Sequence, residues 1–189
     1  TALNDKSIQV FIKNENIKKN LFDLGWDGSF IKNECNTPCF TDNISLIETG
    51  IEGDSKKVLR EAKLDISFEE GVVKRKLGFY IKNETSEKYK VYLRLFTNDN
   101  VGFSPIKIIK TKEDSFVDPE IDSGKGLKEA GVYFEVEPKK TTGIVYEWEG
   151  ESENNFTTKG EYKIYWRKQS GVEKYPIKIS INPPKNVEV

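Results

Sequence analysis

The feature that most constrains this chain is the alternation of apolar and polar residues in its last two thirds. Successive side chains of a β-strand point to opposite faces of the sheet, so a period of two predicts strands with one apolar face. The clearest examples are Val132/Phe134/Val136, Ile144/Tyr146/Trp148, Tyr162/Ile164/Trp166 and Ile177/Ile179/Ile181. We expect these sets to be buried, with Trp148 and Trp166 in the core.

About seven such strands follow residue 57, and they must cover their apolar faces against one another. No helical period separates them, which argues against parallel β-α-β units. We therefore predict a mainly β chain, with an antiparallel immunoglobulin-like β-sandwich preceded by a small α/β segment. Residues 110–129 are rich in charge, Gly and Pro, and we expect a long surface loop there.

The first third of the chain has a mixed pattern. Ile17, Leu21 and Leu24 lie at helical spacing, with Asn14 as a candidate N-cap and Gly25 as a stop. The runs "SIQVFI" and "NISLIET" on either side predict strands.

The change of pattern suggests a division of the chain. We predict a small α/β segment at 1–56, which we expect to end a larger upstream domain. A β-sandwich domain follows at 57–185, and a short tail at 186–189.

Composition argues against several classes of function. The chain carries 30 basic and 31 acidic residues, a net charge of −1, which argues against nucleic-acid binding or a membrane-surface site. There is no histidine, which excludes Ser-His, Cys-His and His-metal sites. No residue pattern predicts a metal, a cofactor or a set of catalytic groups.

The sequence has no apolar run near the ~20 residues of a membrane span, and it has no methionine, even at position 1. We expect a part of a longer protein, with any membrane anchor outside this chain.

The two cysteines are Cys35 and Cys39, in "ECNTPCF". Their spacing allows a small disulfide loop if the backbone turns tightly, and Pro38 favours such a turn. Two free thiols are the alternative. A disulfide would indicate an oxidising compartment.

Four stretches, taken in order, resemble one family. They are "IQVFIKNENIKKNLFDLGWDGSF", "DNISLIETGIEGDSKKVLREAKLDISFEEGVVKRKLGFYIKNET", "YKVYLRLFTNDN", and "GVYFEVEPKKTTGIVYEWE" with "YKIYWRKQSG". Together they are similar to the C-terminal portion of the bacterial "domain of unknown function 4012" proteins. The chain departs from that pattern at Glu48-Thr49-Gly50, where the family carries an acidic-Ala-Asn sequence, and in the segment with Cys35 and Cys39.

The resemblance implies an extracytoplasmic part of a larger, membrane-anchored envelope protein, encoded with surface-polysaccharide functions. It implies no catalytic residues. We therefore expect a cell-surface polysaccharide or another envelope protein as the partner.

Two groups of residues are candidate binding sites. Tyr92, Arg94 and Phe96 project opposite the apolar face of one strand, an arrangement suited to sugar stacking or protein docking. The N-terminal segment could equally cover them, with Arg94 paired to one of its carboxylates.

The second group is Arg167, Lys168 and Gln169, followed by Gly171. It could bind a phosphate or a sugar hydroxyl. The simpler interpretation is an exposed hairpin turn in which Gly171 has a positive φ. Substitutions of Lys168 and Gln169 would then leave folding nearly intact.

Other polar patterns have ordinary explanations. The acids of 114–122 do not have the ligand spacing of an EF-hand calcium site. The Asn-x-Ser/Thr sequences at Asn43, Asn83 and Asn155 arise easily in a chain this rich in asparagine.

The sequence thus predicts a non-enzymatic extracytoplasmic module that binds a surface polymer or takes part in envelope assembly. The alternatives are an accessory domain of a polysaccharide-transferring enzyme, with its catalytic part upstream, and a structural spacer or protein-docking module.

Overall fold

A computed structural model of the chain describes residues 10, 12–24, 26, 39–69, 71–110, 113–124, 126–151 and 161–183. Its single helix in these ranges, α1, runs from Glu15 to Asp23. The Asn14 side chain accepts hydrogen bonds from the backbone N–H groups of Asn16 (3.1 Å) and Ile17 (3.4 Å), which satisfies donors at the helix start. The predicted helix and its N-cap are therefore confirmed. The strand predicted at residues 7–12 lies largely outside the described residues.

Strands make up most of the described chain. They are β1 (Cys39–Glu52), β2 (Val58–Glu69), β3 (Val72–Asn83), β4 (Tyr89–Asn98), β5 (Gly102–Phe103), β6 (Ile106–Ile109), β7 (Ser115–Val117), β8 (Glu120–Gly124), β9 (Leu127–Val136), β10 (Thr141–Glu151), β11 (Glu161–Arg167) and β12 (Ile177–Asn182). A short 3-10 turn, Ser55–Lys57, joins β1 to β2.

The strands form two sheets. Sheet A has the order β11-β1-β4-β9-β8, and sheet B has the order β12-β2-β3-β10-β6-β7, with β5 also paired to β10. The pairs β1–β11 and β2–β12 are parallel, and the others are antiparallel. The mainly β class is confirmed, but the sheets are mixed rather than antiparallel throughout. No α-helix lies between these parallel partners among the described residues, because β11 and β12 return from far along the chain to β1 and β2.

One hydrophobic core joins the inner faces of both sheets. In β4 the residues Tyr89, Val91, Leu93 and Leu95 are buried, and half-buried residues alternate with them. The Tyr146 hydroxyl of sheet B donates to the Leu93 carbonyl of sheet A across 3.1 Å. Burial of the 132/134/136 and 144/146/148 sets is confirmed, and Trp148 is a core residue as predicted.

The last two alternating sets are less buried than the sequence predicts. Tyr162, Ile164 and Trp166 are half-buried and pack against the core from β11. Burial of Ile177, Ile179 and Ile181 is wrong, since all three are exposed on β12. Both strands lie at the end of their sheet, where one flank has no neighbouring strand among the described residues.

The acidic segment also differs from its prediction. Residues 110–129 include β7, β8 and the start of β9, so they are not one long loop. Each of the two short strands forms one end of a sheet, β7 in sheet B and β8 in sheet A. Because every residue of both is exposed, no alternation of burial marks them in the sequence.

The first described strand belongs with the sheets. β1 precedes residue 56, yet it pairs with β4 on one side and β11 on the other. The division into 1–56 and 57–185 stays a prediction. The tail at 186–189 lies outside the described residues.

Two ionic clusters connect sheet A to sheet B inside the core. In the Asp42 cluster (Asp42, Arg75 and Tyr162), Arg75 donates to both carboxylate oxygens of Asp42 at 2.8 Å, and both side chains are fully buried. The Tyr162 hydroxyl also donates to Asp42, and Arg75 donates to the Val73 carbonyl at 2.7 Å. The guanidinium lies 5.0 Å from the centre of the Phe40 ring. These partners offset the cost of removing two charges from water.

We expect Arg75→Met to lower the free energy of unfolding by about 3–5 kcal/mol, because it leaves the Asp42 carboxylate buried without its counter-charge. Urea denaturation measures this. The triple variant Asp42→Leu/Arg75→Met/Tyr162→Phe should recover most of the loss. Lys74→Met is the matched control, since Lys74 is the neighbouring residue but forms an exposed ion pair with Glu69, and its loss should cost at most about 1 kcal/mol. Equal effects of Arg75→Met and Lys74→Met would contradict the importance of the buried pair.

Candidate functional site

The outer face of sheet A carries the first group of predicted binding residues and Arg167 of the second group. Because Val91, Leu93 and Leu95 face the core, the residues between them point outwards. The same alternation turns Lys163, Tyr165 and Arg167 of β11 outwards. We define the outer face of sheet A by Tyr92, Arg94, Phe96, Glu120, Glu129, Tyr133, Tyr165 and Arg167.

Tyr92 lies across the neighbouring strand. A Cβ atom at Gly131 of β9 would collide with the Tyr92 hydroxyl, so only glycine leaves room for the ring. The hydroxyl donates to Glu120 of β8 at 2.6 Å. This hydrogen bond, together with burial, raises the pKa of Tyr92 to about 12. Tyr92 thus connects three strands and holds its ring against the sheet.

Arg94 stands beside Tyr92 and in register with Gly131. Its guanidinium lies 5.6 Å from the centre of the Phe96 ring and 3.9 Å from a carboxylate oxygen of Glu129. The Arg94 Nε–H is buried and has no hydrogen-bond partner among the described residues. The carboxylate near Arg94 thus comes from β9, whereas the sequence suggested one from the N-terminal segment.

The parallel pairing of β11 brings Arg167 to this face. Ser45 of β1 pairs with Phe96 on one side and with Arg167 on the other. The Ser45 hydroxyl donates to the Arg167 carbonyl at 3.3 Å. Arg94, Phe96 and Arg167 therefore share one surface, although the sequence treats them as two separate candidates.

Two exposed tyrosines on this face were not among the predicted residues. Tyr133 of β9 is in register with Tyr92, and Tyr165 lies on β11. The alternation of apolar and polar residues does indicate that both point outwards, since each lies between apolar residues that face the core. Placing both on the surface that carries Arg94 requires the order of the strands.

Lys168 and Gln169 do not lie in a hairpin. β11 belongs to sheet A and β12 to sheet B, so the segment between them crosses from one sheet to the other. The side-chain amide of Gln169 accepts from the Glu48 N–H at 2.6 Å and donates to the Glu48 carbonyl at 2.9 Å. It extends the contact of β11 with β1 past the last strand residue. The positive φ of Gly171, +78°, is confirmed.

The Glu48 cluster (Glu48, Arg60 and Tyr89) lies directly inside this contact. Arg60 donates to the two carboxylate oxygens of Glu48 at 2.7 and 2.6 Å, and both side chains are almost fully buried. The Tyr89 hydroxyl also donates to Glu48. Burial, and then the charge of Glu48, raises the pKa of Tyr89 above its usual range. These groups satisfy one another and leave Glu48 with a structural role.

The predicted disulfide falls largely outside the described residues. Cys35 lies outside the described residues, and only the backbone of Cys39, at the start of β1, is described. The disulfide stays a prediction.

Two of the Asn-x-Ser/Thr asparagines are buried. The Asn83 side chain donates to the Glu87 and Val136 carbonyls at 2.7 and 3.1 Å, and it accepts from the N–H and hydroxyl of Thr85. Asn43 is also buried and donates to Asn98 at 3.2 Å. Neither amide is accessible for modification in the folded chain. Asn155 lies outside the described residues.

The described part of the chain contains no group of His, Cys, Asp or Glu placed to hold a metal ion. It also contains no helix of the length and apolar character that a membrane crossing requires.

Neither the family models nor the curated proteins gave a match to this chain. The resemblance to the domain of unknown function 4012 proteins therefore stays a prediction.

Gln169→Ala should lower the free energy of unfolding by about 1–3 kcal/mol, because two partly buried backbone groups lose their partner. Lys168→Ala, at the adjacent position, is the control and should change it by no more than about 0.5 kcal/mol. Urea denaturation of the two variants tests this. Small and equal effects would support the exposed turn that the sequence suggested.

We also expect part of the stability to be lost at alkaline pH. The pKa of Tyr92 is about 12 in the folded chain, against about 10 in an unfolded one. The contribution of the Tyr92 hydroxyl to the free energy of unfolding is therefore complete below pH 10, and it is lost as the pH rises towards 12. Tyr92→Phe should accordingly lose less stability than the parent over that range.

The difference between the 295 nm absorbance titrations of the parent chain and Tyr92→Phe isolates this hydroxyl. Glu120→Gln should lower the Tyr92 midpoint, since it removes the carboxylate that the hydroxyl contacts. An unchanged midpoint would contradict the assigned cause.

Proposed function

We propose that this chain is a non-enzymatic, extracytoplasmic module of a bacterial cell envelope that binds a surface polysaccharide through the outer face of sheet A. The fold we propose is an immunoglobulin-like β-sandwich. The observation that carries the proposal is the arrangement of Tyr92, Arg94 and Phe96, which the strand order places on one surface with Tyr133 and Arg167.

The chemistry of this face suits a sugar polymer. Aromatic rings present apolar area to the faces of sugar rings, and an arginine supplies donors to hydroxyl or carboxylate oxygens. Tyr92 is held against Gly131, so its orientation is fixed before a ligand binds. The Arg94 side chain is 31% exposed, so the accessible part of its guanidinium can donate to a ligand.

The carboxylates of this face favour binding over catalysis. Glu120 accepts from Tyr92, and Glu129 lies beside Arg94. Each helps to position another side chain of the surface. A glycoside-cleaving pair would instead need two acids facing one another across a cleft.

The envelope location rests on the family resemblance. Four ordered stretches of sequence carry that resemblance, and the two cysteines favour an oxidising compartment if they are bonded. The proposal places any membrane anchor outside this chain.

Affinity electrophoresis in gels containing alginate, an anionic polysaccharide, or dextran, a neutral one, tests the binding. We expect the polymer to retard the parent chain. Arg94→Ala and Tyr133→Ala should each weaken the retardation, with a dissociation constant for the polymer about tenfold higher than that of the parent chain. A tenfold change corresponds to roughly 1.4 kcal/mol of binding free energy. Arg94→Lys should rescue only part of it, since a point charge cannot reproduce the guanidinium fork.

Lys76→Ala is the matched control for these variants. Lys76 pairs with Glu147 on sheet B, and its loss should leave retardation unchanged. If neither polymer retards the parent chain, the polysaccharide proposal fails and the spacer or protein-docking alternative gains support. Equal losses for Lys76→Ala and Arg94→Ala would indicate nonspecific charge effects and would also reject this face.

A further inference from the structure

Strand β12 exposes an apolar stripe that is continuous with the core. Ile177, Ile179 and Ile181 are 37%, 42% and 47% exposed. Their partners on β2 are Ala62, Leu64 and Ile66, which are completely buried. Among the described residues β12 pairs with β2 alone. The core of sheet B thus ends in a partly uncovered row of isoleucines.

The free edge of β12 also has a defined set of backbone groups. The Ala62 N–H donates to the Pro176 carbonyl at 3.0 Å, and Ala62 is in register with Ile177. In a parallel ladder the peptide groups of alternate residues point to the same neighbour. Those of Lys178 and Ser180 therefore point towards β2, and those of Ile177, Ile179 and Ile181 point towards the open edge.

The sequence of this strand is symmetric about Ile179. It reads Ile-Lys-Ile-Ser-Ile from 177 to 181. An antiparallel pair of two such strands, centred on Ile179, places Ile179 opposite itself and Ile177 opposite Ile181. In an antiparallel ladder, opposed residues whose peptide groups face each other exchange two hydrogen bonds. The outward-pointing groups of the three isoleucines are the ones this pairing requires.

Charge is compatible with the same arrangement. The only charged residue of the stretch is Lys178, and the two-fold pairing sets it opposite Ser180 of the other copy. No like charges meet across the strands. Pro176 and Pro183, which lack N–H donors, flank the strand and limit the pairing to its length.

The opposite end of sheet B does not offer this symmetry. β7 also exposes apolar side chains, with Phe116 68% exposed. The surrounding segment 113–124 contains five acids and no basic residue. A two-fold contact there would bring carboxylates together, which is unfavourable.

We propose that the chain forms a two-fold symmetric homodimer through antiparallel pairing of β12 with β12 of a second copy. The two B sheets then form one continuous sheet, and the six isoleucines of the two strands cover one another. The contact is isologous, since the same surface serves both copies. It is independent of the outer face of sheet A, so polymer binding and dimer formation can succeed or fail separately.

Sedimentation equilibrium over micromolar to near-millimolar concentrations tests the proposal. We expect a monomer–dimer equilibrium for the parent chain. Ile179→Lys places two ammonium groups opposite each other at the two-fold axis and should raise the dissociation constant at least about tenfold. Phe116→Lys, which introduces the same residue on the other end of sheet B, should leave it unchanged. A parent chain that is monomeric throughout would overturn the proposal, as would equal effects of the two variants.

Cross-linking tests the register. In a Cys35→Ser/Cys39→Ser background, Ile179→Cys should form a covalent dimer on mild oxidation, because opposed Cα atoms lie about 5.5 Å apart. Ile177→Cys and Ile181→Cys should cross-link to each other when the two proteins are mixed, and each should cross-link poorly alone. Far-ultraviolet circular dichroism checks that each variant is folded. Efficient cross-linking of Ile177→Cys with itself would contradict the symmetry about Ile179.

Discussion

The buried ion pair between Asp42 and Arg75 is the interaction on which the arrangement of the two sheets depends. A carboxylate and a guanidinium removed from water are costly unless every strong donor and acceptor has a partner. Here Arg75 donates to both oxygens of Asp42 and to a backbone carbonyl, and Tyr162 supplies a further donor. Such directional contacts favour one relative position of β1 and β3, because a shift of either strand would leave a buried charge without its partner. The Glu48 cluster repeats this arrangement six residues further along β1, so two fixed points align the strand against sheet B.

The position of β1 determines the candidate binding surface. With Asp42 and Glu48 directed inwards, Ser45 and Ile47 fall on the outer side of the same strand. Ser45 then stands between Phe96 and Arg167, and Ile47 stands beside Arg94. The side-chain amide of Gln169 fixes β11 against the far end of this region. A surface that could bind a polymer on one face of the sheet thus depends on buried charges on the other.

Local pattern accounts for what could be predicted from sequence, and long-range pairing accounts for most of what could not. The period of two identified β4, β9 and β10 and their inner faces, because each of these strands has a neighbour on both flanks and a core on one side. Asn14 was recognisable because a helix cap is a local feature. The inward direction of Asp42 and Glu48 was not, since a charged residue is normally assigned to solvent. The predicted burial of the β12 isoleucines was wrong for the opposite reason. Their pattern is that of a buried face, but the strand lies at the open end of its sheet. Of the outer face, Tyr92, Arg94, Phe96 and Arg167 were predicted from the sequence, and Tyr133 and Tyr165 were not. Its assembly required the parallel pairing of β1 with β11.

The return of the last two strands to the first two also governs when the chain can fold. β1 pairs with β11 across more than a hundred residues; Ser45, for example, is in register with Arg167. β2 likewise pairs with β12, which lies more than a hundred residues later in the chain. Contacts of such long sequence separation are slow to form because the intervening loop must first be closed. A chain emerging in order holds Asp42 without the Tyr162 hydroxyl, and both sheets without a flanking strand, until residues 161–182 have emerged. Completion of both sheets therefore depends on one short stretch of the chain, and a chain that stops before residue 161 would lack a strand from each sheet at once.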